Sequence, residues 1–173
     1  MPNWCDNTLK VSGKRDEVAR FVEIARGKGP YYKGGEEDSG EPQCMDFNQF
    51  VPVPTEVIEF SNSKPTCDAV GAIFGKPSMC CGYHFQISHW GTKWNACEPT
   101  LCRDKKGNAT YTFDTARSPP ERVVHVMSKL FPTLTFKLSY YEGGMGFKGH
   151  ITLRNGREMS VSHNDNYRGQ RGG

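Results

Sequence analysis

The sequence predicts an α+β fold, because period-2 and period-3.6 apolar patterns succeed one another in a fixed order. Strand-like stretches occupy residues 3–12, 93–103, 109–115 and 134–140, and helical stretches follow the first and third of them. This order is βαββαβ, the ferredoxin-like plan with an antiparallel sheet and both helices on one face. A long irregular insertion after the first helix and an extra C-terminal β-hairpin complete the predicted architecture.

The first strand and the first helix have clear periodicities. Residues 3–12 alternate, so that Cys5, Asn7, Leu9 and Val11 share one face and Trp4, Asp6, Thr8 and Lys10 the other. Residues 16–26 carry Val18, Phe21, Val22 and Ala25 at helical spacing, and Gly27, Gly29 and Pro30 end that helix. The insertion is placed at about residues 28–89. It holds a Gly- and Glu-rich loop at 31–43 and a short helix around 66–74.

The second half of the chain returns to regular patterns. A turn at residues 106–108 joins the two middle strands. Ser118 is predicted to cap the second helix, with Pro119 and Pro120 in its first turn and Glu121 completing a capping box. The apolar face of that helix is predicted to be Val123, Val126, Met127 and Leu130. Strands at 145–153 and 157–163 flank Asn155-Gly156, which is typical of a type I′ hairpin turn.

Length and composition favour one intracellular domain. The 173 residues are 36% hydrophobic with a net charge of +3, which is too mild to require a nucleic-acid partner. We assign residues 1–167 to a single domain and 168–173 to a flexible basic tail. Seven cysteines, an odd number, and an N-terminus without a secretory pattern favour reduced thiols and a cytoplasmic location without a membrane partner.

The most informative segment runs from His89 to Ala96, with Trp90, Lys93 and Trp94 within eight residues. An indole beside a lysine suits a nucleobase and its phosphate, because bases stack on aromatic rings. We predict ligand contacts at His89, Trp90, Lys93 and Trp94, with Trp94 the nearest of them to the core. The alternative is an aromatic sheet edge with a solvated lysine.

Catalytic and metal signatures are weak. Cys80, Cys81, His84 and His89 have the residue types of a zinc site, but no Cys-x-x-Cys pair occurs in the sequence. His150-Ile151-Thr152 supplies one His-x-Thr triplet, whereas a two-histidine phosphodiesterase needs a second. We therefore predict no catalytic residues, no metal and no cofactor.

A further candidate lies at Tyr140-Tyr141-Glu142, near the end of the fourth strand. Tyr140 continues the apolar face, so Tyr141 is expected on the opposite face. Glu142, beside Gly143 and Gly144, can cap backbone amides or contact a ligand. Tyr141 and Glu142 are included in the predicted ligand-binding set.

Several unusual motifs resemble the YubB/Api-type ferredoxin-like domain family. They are Met1-Pro2-Asn3-Trp4-Cys5-Asp6-Asn7, Trp90-Gly91-Thr92-Lys93-Trp94-Asn95-Ala96, Phe113-Asp114-Thr115-Ala116-Arg117-Ser118-Pro119-Pro120 and Tyr140-Tyr141-Glu142-Gly143-Gly144 with Phe147-Lys148-Gly149. Arg117, which stands where the family motif has tryptophan, joins the predicted ligand-binding residues.

The resemblance implies an accessory protein of phages and conjugative plasmids. We expect a non-enzymatic protein, able to form a homo-oligomer, that counteracts host defence by binding a nucleotide signal or a host defence protein. One alternative is a single-stranded nucleic-acid-binding accessory protein, since a ferredoxin-like sheet with exposed aromatics can accept stacked bases. A phosphodiesterase-type enzyme acting on a nucleotide is the other.

Overall fold

A computed structural model describes residues 3–28, 42–62 and 82–166. Six strands form one antiparallel sheet, and they are β1 (Trp4–Ser12), β2 (Cys97–Arg103), β3 (Ala109–Ala116), β4 (Thr135–Glu142), β5 (Phe147–Arg154) and β6 (Arg157–Asn164). The helices are α1 (Arg15–Ala25), α2 (Thr55–Asn62), α3 (Gly82–Trp90) and α4 (Glu121–Leu130), with a 3-10 turn at Phe47–Gln49. The expected helix at 66–74, most of the loop at 31–43 and the basic tail lie outside the described residues.

The strand order is β2-β3-β1-β4-β5-β6, with every neighbouring pair antiparallel. Its first four members have the order of a ferredoxin-like sheet, in which β1 lies between β3 and β4. The predicted α+β class and ferredoxin-like antiparallel sheet are therefore confirmed. Strands β5 and β6 extend the sheet beyond β4.

The core lies between the sheet and the helices. Phe21 of α1 is fully buried and makes edge-on contacts with Tyr111 of β3 at 6.0 Å and Phe136 of β4 at 5.3 Å. It also meets Phe131, just after α4, at 5.3 Å, so both helices cover the same face. On β1 the buried residues are Cys5, Asn7, Leu9 and Val11, as the alternation predicts. The other face of the sheet carries the polar half of each strand.

The cap predicted for α4 is wrong, and its predicted apolar face is confirmed only at Val123 and Met127. Its N-cap is Pro120 and makes no side-chain cap bond, whereas the Ser118 hydroxyl donates to the carbonyl of Gly91 at 2.7 Å. The buried face is Val123, Val124, Met127 and Ser128, and Leu130 is 56% exposed. Helix α4 packs against β4 and β5, and Ser128 on its buried face has a polar partner.

That partner is the turn between β5 and β6. The hydroxyl of the fully buried Ser128 accepts the N–H of Gly156 at 2.7 Å. Asn155 and Gly156 have φ values of 50° and 68°, the left-handed pair that a type I′ turn requires. This part-buried hydrogen bond ties the β5-β6 turn to α4, and His125 of α4 also lies 3.3 Å from Glu158 of β6.

We expect Ser128→Ala to lower the free energy of unfolding by about 1–2 kcal/mol, since it leaves the Gly156 N–H without its acceptor. Urea denaturation followed by circular dichroism measures this loss. Ser160→Ala, on the exposed strand β6, is the matched control and should change stability little. Equal effects of the two substitutions would contradict the importance of the Ser128 bond.

The segment between α1 and β2 is more ordered than its pattern indicates. Its described part contains the 3-10 turn and helices α2 and α3. The strand expected at 93–103 begins only at Cys97, because residues 91–95 form a loop after α3. A register shift between Cys97 and Thr100, with φ of 47° at Glu98, marks an irregularity at the start of β2.

Candidate ligand-binding groove

The sheet face opposite α1 and α4 carries polar residues on all six strands. Register partners in an antiparallel sheet point to the same side, so a row of partners can be followed across all strands. The first such row contains Cys97, Asp114, Asp6, Tyr141, Lys148 and Asn164. The second row contains Thr100, Thr112, Thr8, Ser139, His150 and Ser162.

These two rows line most of a groove of about 760 Å³ that crosses the sheet from β2 to β6. Such a volume suits a small-molecule ligand of nucleotide size. Hydroxyl groups dominate the second row, and charges are concentrated in the first. The groove therefore offers hydrogen-bonding partners along its whole length rather than an apolar lining.

The charges of the groove are separated across the sheet. Carboxylates of Glu98, Asp114 and Asp6 lie on the β2-β3-β1 side, and Lys148 with His150 lies on β5. Burial raises the pKa of the Asp114 carboxyl above its ordinary value. The pKa of the Cys97 thiol is raised to about 11, first by burial and then by the charges of Asp114 and Glu98. Cys97 is thus a protonated thiol at neutral pH and a poor nucleophile.

Trp4, at the start of β1, belongs to a ladder of rings and one ammonium group whose members are not among the residues that line the groove. The indoles of Trp4 and Trp94 are 5.8 Å apart and tilted by 50°. The Nζ of Lys93 is 4.6 Å from the Trp94 ring centre and 5.6 Å from that of Tyr83. Trp4 shares the open face with Asp6 and is 39% exposed. Trp4 is therefore the ring of this ladder that lies on the same sheet face as the groove.

Lys93 and Trp94 lie close together, as predicted, but their side chains make different contacts. The Lys93 ammonium is a cation–π partner of two rings, an arrangement that contributes to local stability. Trp94 is only half-buried and packs against the exposed Trp4, so the expectation that it belongs to the core is wrong. Its ring contacts the indole of Trp4.

Trp90 is placed in the core, and this corrects the prediction that it contacts a ligand. It is 1% exposed, and its indole N–H donates to the carbonyl of Val51 at 2.9 Å. Its ring meets Phe47 edge-on at 5.8 Å. The helix α3 ends at Trp90, and the helical geometry turns this side chain toward the interior.

His89 and Arg117 do not line the groove. His89 is exposed, stacks on Phe85 at 4.1 Å and bonds through Nδ1 to the Phe85 carbonyl at 2.9 Å. Arg117 is exposed with φ of 72°, and its N–H donates to the Asn3 carbonyl at 2.9 Å. Arg117 directly follows Ala116, the register partner of Trp4, so it lies near the ladder.

Tyr141 and Glu142 differ in where their side chains lie and in what they contact. Tyr141 lines the groove, whereas Tyr140 is buried on the opposite face, as the alternation predicts. Glu142 is 1% exposed, and its carboxylate accepts the N–H groups of Gly144, at 2.9 Å, and Met145. Of the two roles considered for Glu142, capping of the turn after β4 is the one observed.

The sequence interpretation missed much of the groove. Asp6, Asp114, Lys148 and His150 were not in the predicted ligand-binding set. They could have been found from the polar positions of each alternating strand, by comparing those positions between neighbouring strands. A charged or aromatic residue on the open face of a central strand stands out among threonines and serines.

Within residues 3–28, 42–62 and 82–166, no group of three or more metal-ligating side chains comes together. Cys80 and Cys81, the first members of the zinc pattern considered above, lie outside these residues. The helices of the same part of the chain include none that is long and apolar enough to span a bilayer.

The fold and groove together define a ferredoxin-like α+β domain with an open, polar sheet face. Residues 89–172 match a family model described as the ferredoxin-like domain in Api92-like protein. The crystal structure of a protein api92 from Yersinia pseudotuberculosis is similar, with a TM-score of 0.56 over 95% of this chain and 98% of that chain. Sequence identity is 10%, so this likeness shows the fold alone. No curated protein matches the chain.

Proposed function

We propose that this protein is a non-enzymatic binding protein for a nucleotide-type ligand, which it holds on the open face of its sheet. The observation that carries the proposal is a polar groove of about 760 Å³ with hydroxyl and basic side chains, on the sheet face that also carries the exposed Trp4. A base stacked on Trp4 would leave its sugar and phosphate over the two rows of polar side chains. Stacking of a base on an aromatic ring contributes roughly 1–3 kcal/mol.

The groove chemistry fits the remaining parts of a nucleotide. Thr8, Thr112 and Ser139 lie in the middle of the groove and can bond to ribose hydroxyls. Lys148 and His150 on β5 supply positive charge or N–H donors for a phosphate. The groove thus offers hydroxyl and basic groups, which are the partners that the sugar and the phosphate of such a ligand need.

Binding is favoured over a two-histidine phosphodiesterase mechanism, because that mechanism needs an acid histidine and a base histidine placed across the scissile bond. Among the described groove-lining residues, His150 is the single histidine, and its neighbours across the strands are Ser139 and Ser162. The nearest thiol candidate, Cys97, is held protonated by burial.

In the phage and plasmid setting that the motif resemblance implies, such binding would sequester a nucleotide signal and so counteract a host defence system. Two additions to the four-stranded core serve this purpose. The β5-β6 hairpin supplies the basic side of the groove, and the segment before β2 supplies Tyr83 to the ladder.

We expect Trp4→Ala to weaken nucleotide binding at least about tenfold, because the stacking ring is lost. Isothermal titration calorimetry with nucleoside monophosphates and cyclic dinucleotides measures the affinity. Ile87→Ala is the matched control, since Ile87 is also apolar and 39% exposed but lies on α3, outside the groove. Nucleotide affinity that is unchanged in Trp4→Ala, or absent in the parent protein, would refute the proposal.

Single-stranded nucleic acid is the second candidate, because the groove crosses all six strands and is open at the sheet face. Oligonucleotides of several lengths distinguish the two ligands. Affinity that rises with length and falls steeply with salt indicates a strand, since phosphate contacts release counterions. Affinity that is independent of length indicates a single nucleotide.

A further inference from the structure

Four basic side chains lie together on the open face of the sheet, beyond the second row of the groove. Lys10 of β1 and Lys137 of β4 are register partners, and so are Arg154 of β5 and Arg157 of β6. Arg154 directly follows the buried Leu153, so its side chain lies on the opposite, open face. All four residues are exposed, and their strands are neighbours in the order β1-β4-β5-β6. We call these four residues the basic patch.

The basic patch continues the groove along the strands. On β5, Thr152 follows His150 by two residues and has Lys137 as its register partner on β4. Arg154 comes another two residues along β5. Two residues of a strand span about 7 Å. His150 of the groove, Lys137 and Arg154 therefore stand in successive rows, and an anionic chain that starts in the groove meets each of them in turn.

The charges of the patch are not neutralised by carboxylates in the part of the chain that the structure describes, since none of its four side chains makes an ion pair there. Lys10 acts only weakly on Asp104, whose pKa is lowered first by a hydrogen bond from the Asn108 side chain and last by the charge of Lys10. Like charges at directly opposite strand positions lower stability. Both register pairs of the patch carry this cost, and a bound anion offsets it.

The arginine half of the patch is presented by a fixed turn. Arg154 and Arg157 flank Asn155 and Gly156, and the Gly156 N–H donates to the Ser128 hydroxyl of α4 at 2.7 Å. A guanidinium group binds phosphate through two parallel hydrogen bonds, which makes arginine a preferred partner of phosphate. A backbone that is already fixed loses less freedom when a ligand binds.

We propose that the basic patch binds the second and further phosphate groups of the nucleotide, so that the preferred ligand carries a chain of phosphates. This inference rests on the proposed nucleotide-binding function and names the class of nucleotide that it takes. The first phosphate lies near Lys148 and His150 in the groove, and the chain continues along the strands to the patch. Four neighbouring strands spread the cations over about 14 Å, which is wider than one phosphate group needs.

Calorimetry with adenosine 5′-monophosphate, adenosine 5′-triphosphate and inorganic triphosphate tests this inference. Mg²⁺ is left out, because it binds phosphate chains itself. We expect the adenosine triphosphate to bind about tenfold more tightly than the monophosphate, since charge-assisted hydrogen bonds are the strong ones. Lys137→Gln and Arg154→Gln should each remove most of this gain, whereas the affinity for the monophosphate should fall less. Added salt should also reduce the gain, because the patch is exposed.

Arg20→Gln is the matched control, since Arg20 is an exposed residue of α1, on the side of the sheet opposite the patch. It removes the same charge from the protein and should leave the gain unchanged. An equal loss in Arg20→Gln and Arg154→Gln would overturn the inference, because net charge would then explain the preference. Thermal melting without ligand checks the fold: Lys137→Gln should melt no lower than the parent protein, because the repulsion from Lys10 is relieved.

The outcomes separate this inference from the function on which it rests. Equal affinities for the monophosphate and the triphosphate would overturn the role of the patch and leave the nucleotide-binding proposal standing. Inorganic triphosphate that binds as tightly as adenosine triphosphate, with no binding of the monophosphate, would overturn the nucleotide function. A single-stranded oligonucleotide that binds more tightly than adenosine triphosphate, with the same loss in Arg154→Gln, would also overturn the inference and assign the patch to a nucleic-acid strand.

Discussion

Trp90→Ala is expected to lower the free energy of unfolding by about 3–5 kcal/mol, the range observed for truncation of a buried aromatic residue. The indole is 1% exposed, fills the space beside Phe47 and gives its N–H to the carbonyl of Val51. Its loss would leave a cavity and an unpaired carbonyl. Since native domains are stable by only about 5–15 kcal/mol, much of the fold's stability would be removed. Urea denaturation followed by circular dichroism measures the change.

Two further variants separate the roles of the tryptophans. Trp90→Phe keeps most of the packing and loses the hydrogen bond, so it should cost about 1–2 kcal/mol and leave nucleotide affinity unchanged. Trp94→Ala, at a half-buried site, should destabilise less than Trp90→Ala. A Trp90→Phe protein that is fully folded but has lost nucleotide binding would restore Trp90 as a ligand contact and contradict its assignment to the core.

Asp46→Ala should cost about 3 kcal/mol, because hydrogen bonds to a buried charged group contribute about 1.5–3 kcal/mol each and their donors would lose a partner. Asp46 is fully buried, and its Oδ1 accepts from the Asn48 N–H at 2.9 Å and the Asn95 Nδ2 at 2.7 Å. Its Oδ2 accepts from Gln49 at 3.2 Å. The carboxylate thus ties the segment after α1 to the loop that presents Lys93 and Trp94.

Asp46→Asn is the informative control for this effect. The amide retains one acceptor oxygen for Asn48 and Asn95 and loses the contact with Gln49, so about half of the destabilisation should remain. Guanidinium denaturation of the two variants beside the parent protein gives the comparison. If Asp46→Ala is no less stable than Asp46→Asn, the Asn95 bond does not support the loop.

The fold was predictable because it follows from patterns among residues that are neighbours in the sequence. In β1, the alternation Cys5, Leu9 and Val11 against Thr8 and Lys10 is reproduced by the buried and exposed residues of the structure. The Asn155-Gly156 turn has the left-handed conformation that those two residue types favour. Errors occurred where the partner is remote in sequence. Ser118 had the form of a helix cap, but a carbonyl 27 residues away accepts its hydroxyl.

The candidate site was predicted less well, for a related reason. The segment from His89 to Ala96 was read as one unit, yet α3 ends inside it at Trp90. The helix turns Trp90 inward, and the following loop leaves Lys93 and Trp94 at the surface beside Trp4. Trp4 and Trp94 are 90 residues apart in the chain, so their contact depends on how β1 and the loop before β2 meet in space.

The sequence by itself determined the α+β class, the ferredoxin-like order of strands and the polar face of each strand, because periodicity along a strand or helix is a property of neighbouring residues. Only the tertiary structure decided which tryptophan is exposed, that Glu142 caps the turn after β4, and which polar residues line one groove. Strand register makes Asp6, Asp114, Tyr141 and Lys148 neighbours in one row. Register is set by packing and pairing between distant segments, and no local pattern contains it.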